Sequence, residues 1–218
     1  TMHKKSLYIF IIGVLLMACS QQDSNSQTAA SCLEEAEAAL ANDSTRLGET
    51  LLRKTIQLAE ASEDWHTDYI ACQRLAEALS QSNPGEALRL MKQALTIYEQ
   101  HPDDELRPVK GHLQGKNYVI LLDYAGTFAA QVAYINEGPF DEALDFIHRA
   151  YDIAKKSQMK DMICQTLTSL ANIAWAKEDY RQALDYARQA ELVATDELRA
   201  GTLQVLARSY LSLNMLDS

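Results

Sequence analysis

The sequence is short of the residues that break helices. Only 8 Gly and 4 Pro occur in 218 residues, too few to turn the many short strands of a sandwich or barrel. Basic residues are scarce as well: Lys+Arg 20 stands against Asp+Glu 30, a net charge of -10. A protein that holds DNA or RNA needs a basic face to displace counterions from phosphates, so no nucleic-acid partner is expected. Chemical signatures are missing too. There is no Gly-rich phosphate loop, no HExxH pair, no paired CxxC and no nucleophile elbow, so neither catalysis nor a bound cofactor is expected. What is present is apolar residue, 47% of the chain with only 7% aromatic, which is too much for a disordered acidic tail and leans towards helix.

One long apolar run exists, and it is at the start. Lys4 and Lys5 precede twelve almost wholly apolar residues, Leu7 to Ala18, after which polarity returns. Twelve residues cannot cross a bilayer core that needs about 20, but they suit the h-region of a secretory signal over residues 1–18. Leu16-Met17-Ala18-Cys19 resembles the lipobox of bacterial lipoproteins, with Leu16 and Ala18 read by the processing machinery and Met17 a less usual middle residue. The resemblance implies that Cys19 carries a thioether-linked diacylglycerol and an acylated amino group. Several acyl chains together make a stable anchor, where one would be marginal. Removing residues 1–18 takes away two of the 20 basic residues and none of the 30 acidic ones, leaving -12. Such a chain meets a membrane through its lipid and not through its surface charge.

Residues 19–31 are mostly Ser, Gln, Asn, Thr and Ala, the composition of a flexible tether. Ser20 is not the acidic residue that retains enterobacterial lipoproteins in the inner membrane, which points to the outer membrane. The Ser20-Gln21-Gln22-Asp23 run resembles export signals of Bacteroidota surface lipoproteins. With Cys19 lipidated, Cys32, Cys72 and Cys164 remain, without metal-like spacing and within helical patterns. They read as small buried apolar residues, with one bridge among them left open.

From Leu33 onward apolar residues recur at i, i+3, i+4 and i+7, in blocks separated by short polar turns, and every block reads as helix. A repeat runs through them. Ala183-Leu184 with Ala187 and Ala190 parallels Ala143-Leu144 with Ile147 and Ala150, and Ala87-Leu88 with Met91 and Ala94; Gly48, Leu52 and Thr55 form a degenerate copy. The leading small residues Gly48, Ala87, Ala143 and Ala183 lie 39, 56 and 40 positions apart. Upstream of Ala183 stand Leu170-Ala171 and Ala174, with Asp179-Tyr180 at the turn. Together these residues resemble the tetratricopeptide repeat, in which small residues let two antiparallel helices pack closely. The resemblance covers Leu33 to Ser218 and implies an all-α superhelical solenoid of about four and a half repeats over residues 32–218, with the last, at Leu206-Ala207 and Tyr210, cut short.

A period near 40 exceeds the usual 34 of that family. The 56-residue interval reads as holding an inserted loop at 101–116, with Pro102, Pro108, Gly111 and Gly115. Asn83-Pro84 and Gly138-Pro139 are expected to place Pro at the first position of a helix, where its missing N–H costs nothing. Leu203, Leu206, Tyr210, Leu211, Leu213 and Leu216 make too apolar a cap for a solenoid end, so the natural protein is expected to continue beyond Ser218. Lipoprotein-signalled repeats of this kind resemble the N-terminal parts of longer Bacteroidota proteins.

His101, Asp103, Asp104, Glu105 and His112 share one loop but have no metal-binding register, and a solvated acidic loop with no metal is the reading adopted. The remaining candidate is the concave groove that the first helix of each repeat lines in this family. Carried over from Leu170, its slots fall on Gln165, Thr168, Asn172, Trp175 and Ala176; on Phe128, Val132 and Ile135 in the preceding copy; and on Gln204, Arg208 and Leu211 in the following one. Asn172 matches the Asn of carboxylate-clamp repeats, but Thr168 replaces their Lys, which argues against a chaperone-tail clamp. An apolar groove with Arg208 as an anchor suits a protein or peptide partner held by one face. Glycan capture would need several aromatics on one exposed face, and only Trp65, Trp175 and scattered Tyr residues are available. The expected function is a lipid-anchored, non-catalytic interaction scaffold of the cell envelope, with a periplasmic sensor module of a longer signalling or transcriptional regulator protein as the alternative.

Overall fold

The computed structural model describes residues 27–101 and 115–216. Nine helices and no strand form among the described residues. They are α1 (Ala29–Ala41), α2 (Thr45–Ser62), α3 (Trp65–Leu79), α4 (Pro84–Gln100), α5 (Lys116–Ile135), α6 (Asp141–Lys156), α7 (Lys160–Ala176), α8 (Tyr180–Val193) and α9 (Asp196–Leu216). The signal region, the lipobox with Leu16, Ala18 and Cys19, most of the tether, and the loop segment from Pro102 to Gln114 lie outside the described residues.

A single turn geometry recurs along the chain. Asp43, Glu63, Glu137, Gln158 and Glu178 all have φ between 50° and 62°, the left-handed region. After each, the next N–H reaches back five residues: Ser44 to Ala39, Asp64 to Ala59, Gly138 to Ala133, Met159 to Ala154 and Asp179 to Ala174, all at 2.8–2.9 Å. This is the Schellman closure, which satisfies carbonyls the helix end leaves open. Glycine is the usual residue at such a site, and its absence from all five explains how few glycines the chain manages with. Asp64 and Asp179 then cap the following helix, their side chains accepting from the N–H groups of Thr67 and Gln182 at 3.1 Å. The result is a two-helix unit joined by turns short enough to force antiparallel neighbours.

Pairs form as α1 with α2, α3 with α4, α5 with α6 and α7 with α8, and each pair packs on the next through its second helix. Contacts of α1 with α3, α5 with α7 and α7 with α9 put the odd-numbered helices on one common face. The even-numbered helices line the other, tied by exposed ion pairs between repeats: Arg53–Glu86 at 2.8 Å, Arg149–Glu99 at 3.2 Å, and Lys92–Glu142. Exposed pairs of this sort each contribute about 1 kcal/mol or less, so cohesion comes from the apolar seam. That seam runs unbroken from Ala36 to Ala190, with a small satellite of Ala171, Ala187 and Val205 where α9 joins.

Small residues sit where the paired helices cross. A methyl group on Gly48 would stand 2.5 Å from the Leu40 side chain, and one on Gly126 would stand 2.5 Å from Ile147 and 3.0 Å from the Ala143 carbonyl oxygen. In the pair α7/α8 the buried Ala171 and Ala183 hold the corresponding places. Helix axes this close leave no room for a Cβ at the tightest crossings.

Gly126 corrects the register expected for the third repeat. It precedes Ala143 by 17 residues, whereas Ala171 precedes Ala183 by 12. The extra five lie in the longer α5 and the five-residue turn before α6, so counting back from Ala143 by the spacing of the fourth repeat lands five residues too late. Two other expectations shift at the edges. Helix α1 starts at Ala29, with Thr28 accepting from the Ser31 N–H at 3.1 Å, so the end of the expected tether is helix. Pro84 does open α4, but Pro139 precedes the cap residue Phe140 and lies outside α6. Helix α5 is long and apolar enough to cross a membrane (mean hydropathy 1.3), yet half of that stretch is buried in the protein core.

On α9, Leu203, Tyr210 and Leu211 are exposed apolar side chains. Gly126→Ala tests the close crossing directly. Ala gains about 1 kcal/mol over Gly in a helix interior, but overpacking costs about 1–3 kcal/mol. A net loss of stability is expected in urea unfolding. Adding Ile147→Val should cost less than its effect alone, because it relieves the same contact.

Candidate functional site

With Gly126 aligned to Ala171, the groove slots of α5 become Asp123, Thr127 and Ala130, beside Thr168, Asn172 and Trp175 of α7 and Gln204, Arg208 and Leu211 of α9. Two adjoining cavities occupy this face. One, of about 370 Å³, is lined by Thr127, Ala130, Gln131, Tyr134, Ser169, Asn172, Ile173, Trp175, Ala176 and Arg208. The other, of about 270 Å³, is lined by Asp123, Tyr124, Thr127, Phe128, Cys164, Gln165, Thr168, Ser169 and the N-terminal half of α9 at Leu198, Gly201 and Thr202. Thr127 and Ser169 belong to both, so the two cavities adjoin along these residues.

Arg208 dominates the first cavity. Its guanidinium carbon lies 4.2 Å from the centre of the Trp175 ring, and Nη2 donates to Asn172 Oδ1. Trp175 is held in turn by its indole N–H, which donates to Ser212 Oγ at 3.0 Å. Stacking on an indole suits a weakly hydrated guanidinium. Arg208 makes no ion pair among the described residues, and its buried Nε has no hydrogen-bond partner there. Burial pulls its pKa below the usual arginine value, as expected for a cation losing water without gaining an anion.

Asp123 is the counterpart in the second cavity. It is 4% exposed on an apolar helix between Leu122 and Ala125. Gln165 Nε2 donates to Oδ2 at 2.8 Å, but Oδ1 has no partner among the described residues. Burial pushes the carboxyl up to about 6, and the polar Gln165 and Ser169 beside it offset only part of that. Uncompensated charges are expensive to bury, and such groups concentrate where a protein binds something.

The expected site residues are partly brought together. Asn172, Trp175 and Arg208 meet in the first cavity, and Thr168 lines the second while its hydroxyl donates to the Cys164 carbonyl at 2.9 Å. Gln204 is exposed and lines neither. The slots expected on α5 are corrected by the five-residue shift. Phe128 is a core residue, 4% exposed and touching only the second cavity; Val132 packs against the core; and Ile135, 58% exposed, lies past both cavities. Thr127, Ala130 and Asp123 take their places. Asp123 carried a visible signal that went unread: a lone acid in an otherwise apolar stretch, three residues before the small crossing residue.

Among the described residues no cluster of His, Cys, Asp or Glu could hold a metal ion. His101 stacks on Trp65 with ring centres 5.0 Å apart; the other residues of the suggested acidic loop lie outside the described residues. Cys32, Cys72 and Cys164 are free and buried, and burial beside Asp68 pushes the Cys72 thiol up, which keeps it inert. A more polar concavity of about 600 Å³ between α3 and α5 is lined by His66, Gln73, Arg74, Glu77 and Asn117 among others. There Arg74 pairs with Glu77 at 3.1 Å and Glu37 at 3.3 Å, so its charge is already met.

No protein-family model matches the chain, and no curated protein matches it in sequence. Among solved structures, the chain is similar to a signal transduction ATPase with numerous domains that carries a tetratricopeptide repeat sensor, from Pyrococcus horikoshii. The TM-score is 0.64 at 18% identity over 95% of this chain. This chain spans 31% of that one. The fold is therefore an all-α, tetratricopeptide-like superhelical solenoid of helix pairs.

Asp123 also sets a pH dependence of stability. Its carboxyl is protonated in both states below its unfolded value of 3.8, and between there and about 6 only the folded chain retains the proton. Stability from this group therefore falls as pH rises through that window, and the deficit, about 3 kcal/mol, persists above it. Asp123→Asn is expected to melt higher than the unmodified chain at pH 7.5 and close to it at pH 4. A gap that does not grow with pH would show that Asp123 is solvated.

Proposed function

We propose that this chain is a non-catalytic, lipid-anchored protein of the cell envelope that holds a protein or peptide partner in the groove between α5, α7 and α9. The observation that carries the reading is the groove itself: an apolar wall of Ala130, Ile173, Trp175 and Ala176 ending at a guanidinium without an ion-pair partner among the described residues. An aromatic and an arginine side by side in a concavity are the residues that most often supply binding energy. The tetratricopeptide-like fold supports a protein partner, since arrays of this kind present extended concave surfaces. In this reading the lipid on Cys19 ties the solenoid to the outer membrane, with Leu16 and Ala18 directing the processing and residues 19–26 acting as the tether.

The sensor reading has one observation in its favour. The structurally similar ATPase uses its tetratricopeptide repeats as a sensor, and this chain matches only 31% of that protein. A sensor would use the same groove, with the bound ligand altering how the repeats present themselves to an output domain.

Groove and anchor are tested separately. Panning a random 12-residue peptide library against the full chain should enrich apolar sequences carrying an acidic residue. Trp175→Ala and Arg208→Gln should each weaken the selected peptides about tenfold or more in fluorescence anisotropy. Selected peptides that bind both variants as well as the parent would remove the groove from the reading. For the anchor, intact mass and detergent partitioning should show loss of residues 1–18 and a lipid-sized increase, both abolished by Cys19→Ala. An unlipidated, water-soluble parent chain would leave a groove protein without an anchor.

A further inference from the structure

Gly201 is a glycine that the fold does not require. It lies within α9 without a positive φ, and a Cβ added to it would meet no heavy atom within 4 Å. Glycine weakens a helix interior relative to alanine, and here neither a turn nor a close crossing calls for it. It does line the second cavity, where a missing side chain leaves space. The buried carboxylate of Asp123 lines the same cavity, its Oδ1 without a partner among the described residues and no basic residue in the lining. Asp123 and Gly201 thus both weaken the fold at one place, the trade expected of positions kept for binding. The other polar groups there have committed their protons. Thr168 donates to the Cys164 carbonyl at 2.9 Å, Thr202 to the Leu198 carbonyl at 3.1 Å, and Gln165 Nε2 to Asp123 itself at 2.8 Å. What the half-buried Thr168 and Gln165 have left to offer is oxygen lone pairs.

The cavity therefore presents one anion and further acceptors beside the apolar Phe128 and Leu198. A calcium-like ion takes about six to eight oxygens, which a single carboxylate among apolar walls does not supply. A primary ammonium brings three N–H donors and no acceptor, the complement of this lining. At about 30 Å³ per water, the cavity of about 270 Å³ has the room of about nine waters, so its ligand is metabolite-sized. We propose that the second cavity binds a small primary amine of up to about nine non-hydrogen atoms, its ammonium on Asp123 and its apolar body against Phe128 and Leu198. This goes beyond the peptide reading, which rests on the apolar wall and Arg208 of the first cavity. Asp123 Oδ1 is shielded from solvent, and a side-chain rotation of the kind common on binding turns it to the ligand N–H. A charge-assisted bond formed at so buried a carboxylate is among the stronger ones.

The test is calorimetric titration of the full chain at pH 7.5, where a carboxyl with a value of about 6 is ionised. The probes are phenethylamine and isopentylamine, each beside the alcohol of the same shape. An amine should bind saturably, one per chain, and its alcohol about tenfold or more weakly. Asp123→Asn should bind amine and alcohol alike while melting higher than the parent at that pH, so its lost preference is not a lost fold. Gly201→Leu, which meets no packed atom, should keep the helical signal and weaken the amine about tenfold. An alcohol that binds as tightly as its amine, or an Asp123→Asn chain that still prefers the amine, overturns the proposal. So does a chain that takes up calcium chloride and neither amine. The selected peptides report on the first cavity through Trp175 and Arg208. If they bind and no amine does, this proposal alone falls, and if the amine binds and they do not, the peptide reading alone falls.

Discussion

Everything in this solenoid depends on how closely two helices can approach. At Gly48 and Gly126 the approach leaves no room for a methyl group, and at the corresponding places Ala171 and Ala183 are fully buried. Those crossings fix the rotation of each helix about its own axis, and rotation decides which residues face the seam and which face the groove. Hydrophobic burial supplies the cohesion. The small residues decide what is buried. Moving the crossing point by even one residue turns a helix by about 100°, so Asp123 reaches the groove only because Gly126 takes the crossing.

The groove that follows from this register is unlike the outer face of the molecule. Outside, arginines and lysines of the even-numbered helices find carboxylates on a neighbouring repeat. Inside, Asp123 is held only by neutral groups, while Arg208 has an amide and an aromatic ring for company. The chain has ten more acidic than basic residues, so a cation left without an anion is not a matter of supply. Both charges are offset by neutral dipoles strongly enough to keep the fold and weakly enough to favour a charged ligand. This is the balance expected where a binding site is preformed and its cost is carried by the surrounding scaffold.

Much of the architecture was legible before any coordinates. Helical spacing, the Ala-Leu repeats and the short polar turns carried the all-α solenoid, because a two-helix unit repeated along the chain can bury its apolar face only against its neighbours. Asn172, Trp175 and Arg208 were legible too, since their repeats keep the regular spacing. The third repeat was not. Its turn and first helix hold five extra residues, and a count from Ala143 cannot know where they lie, so Phe128 and Val132 stood in for Asp123 and Thr127. The steric role of Gly126 depends on Ile147, 21 residues away in sequence, and no local pattern announces it. The five left-handed turns were equally hidden, because the residues that occupy them are Asp, Glu and Gln and not glycine.

The register of α5 is the point on which both the groove and its charges rest, and thiol labelling measures it most directly. Cysteines introduced singly at Thr127, Phe128, Ala129, Val132, Ala133 and Tyr134, in a Cys19→Ala background, would be exposed to a small maleimide in the folded chain, Cys32, Cys72 and Cys164 being buried. Fast labelling at Thr127 and Tyr134 with strong protection at Phe128, Ala129 and Ala133 is the expected pattern, all six becoming equal in urea. Fast labelling at Phe128 and Val132 with protection at Thr127 would contradict it, returning the groove to the register counted from Ala143 and removing Asp123 from the site.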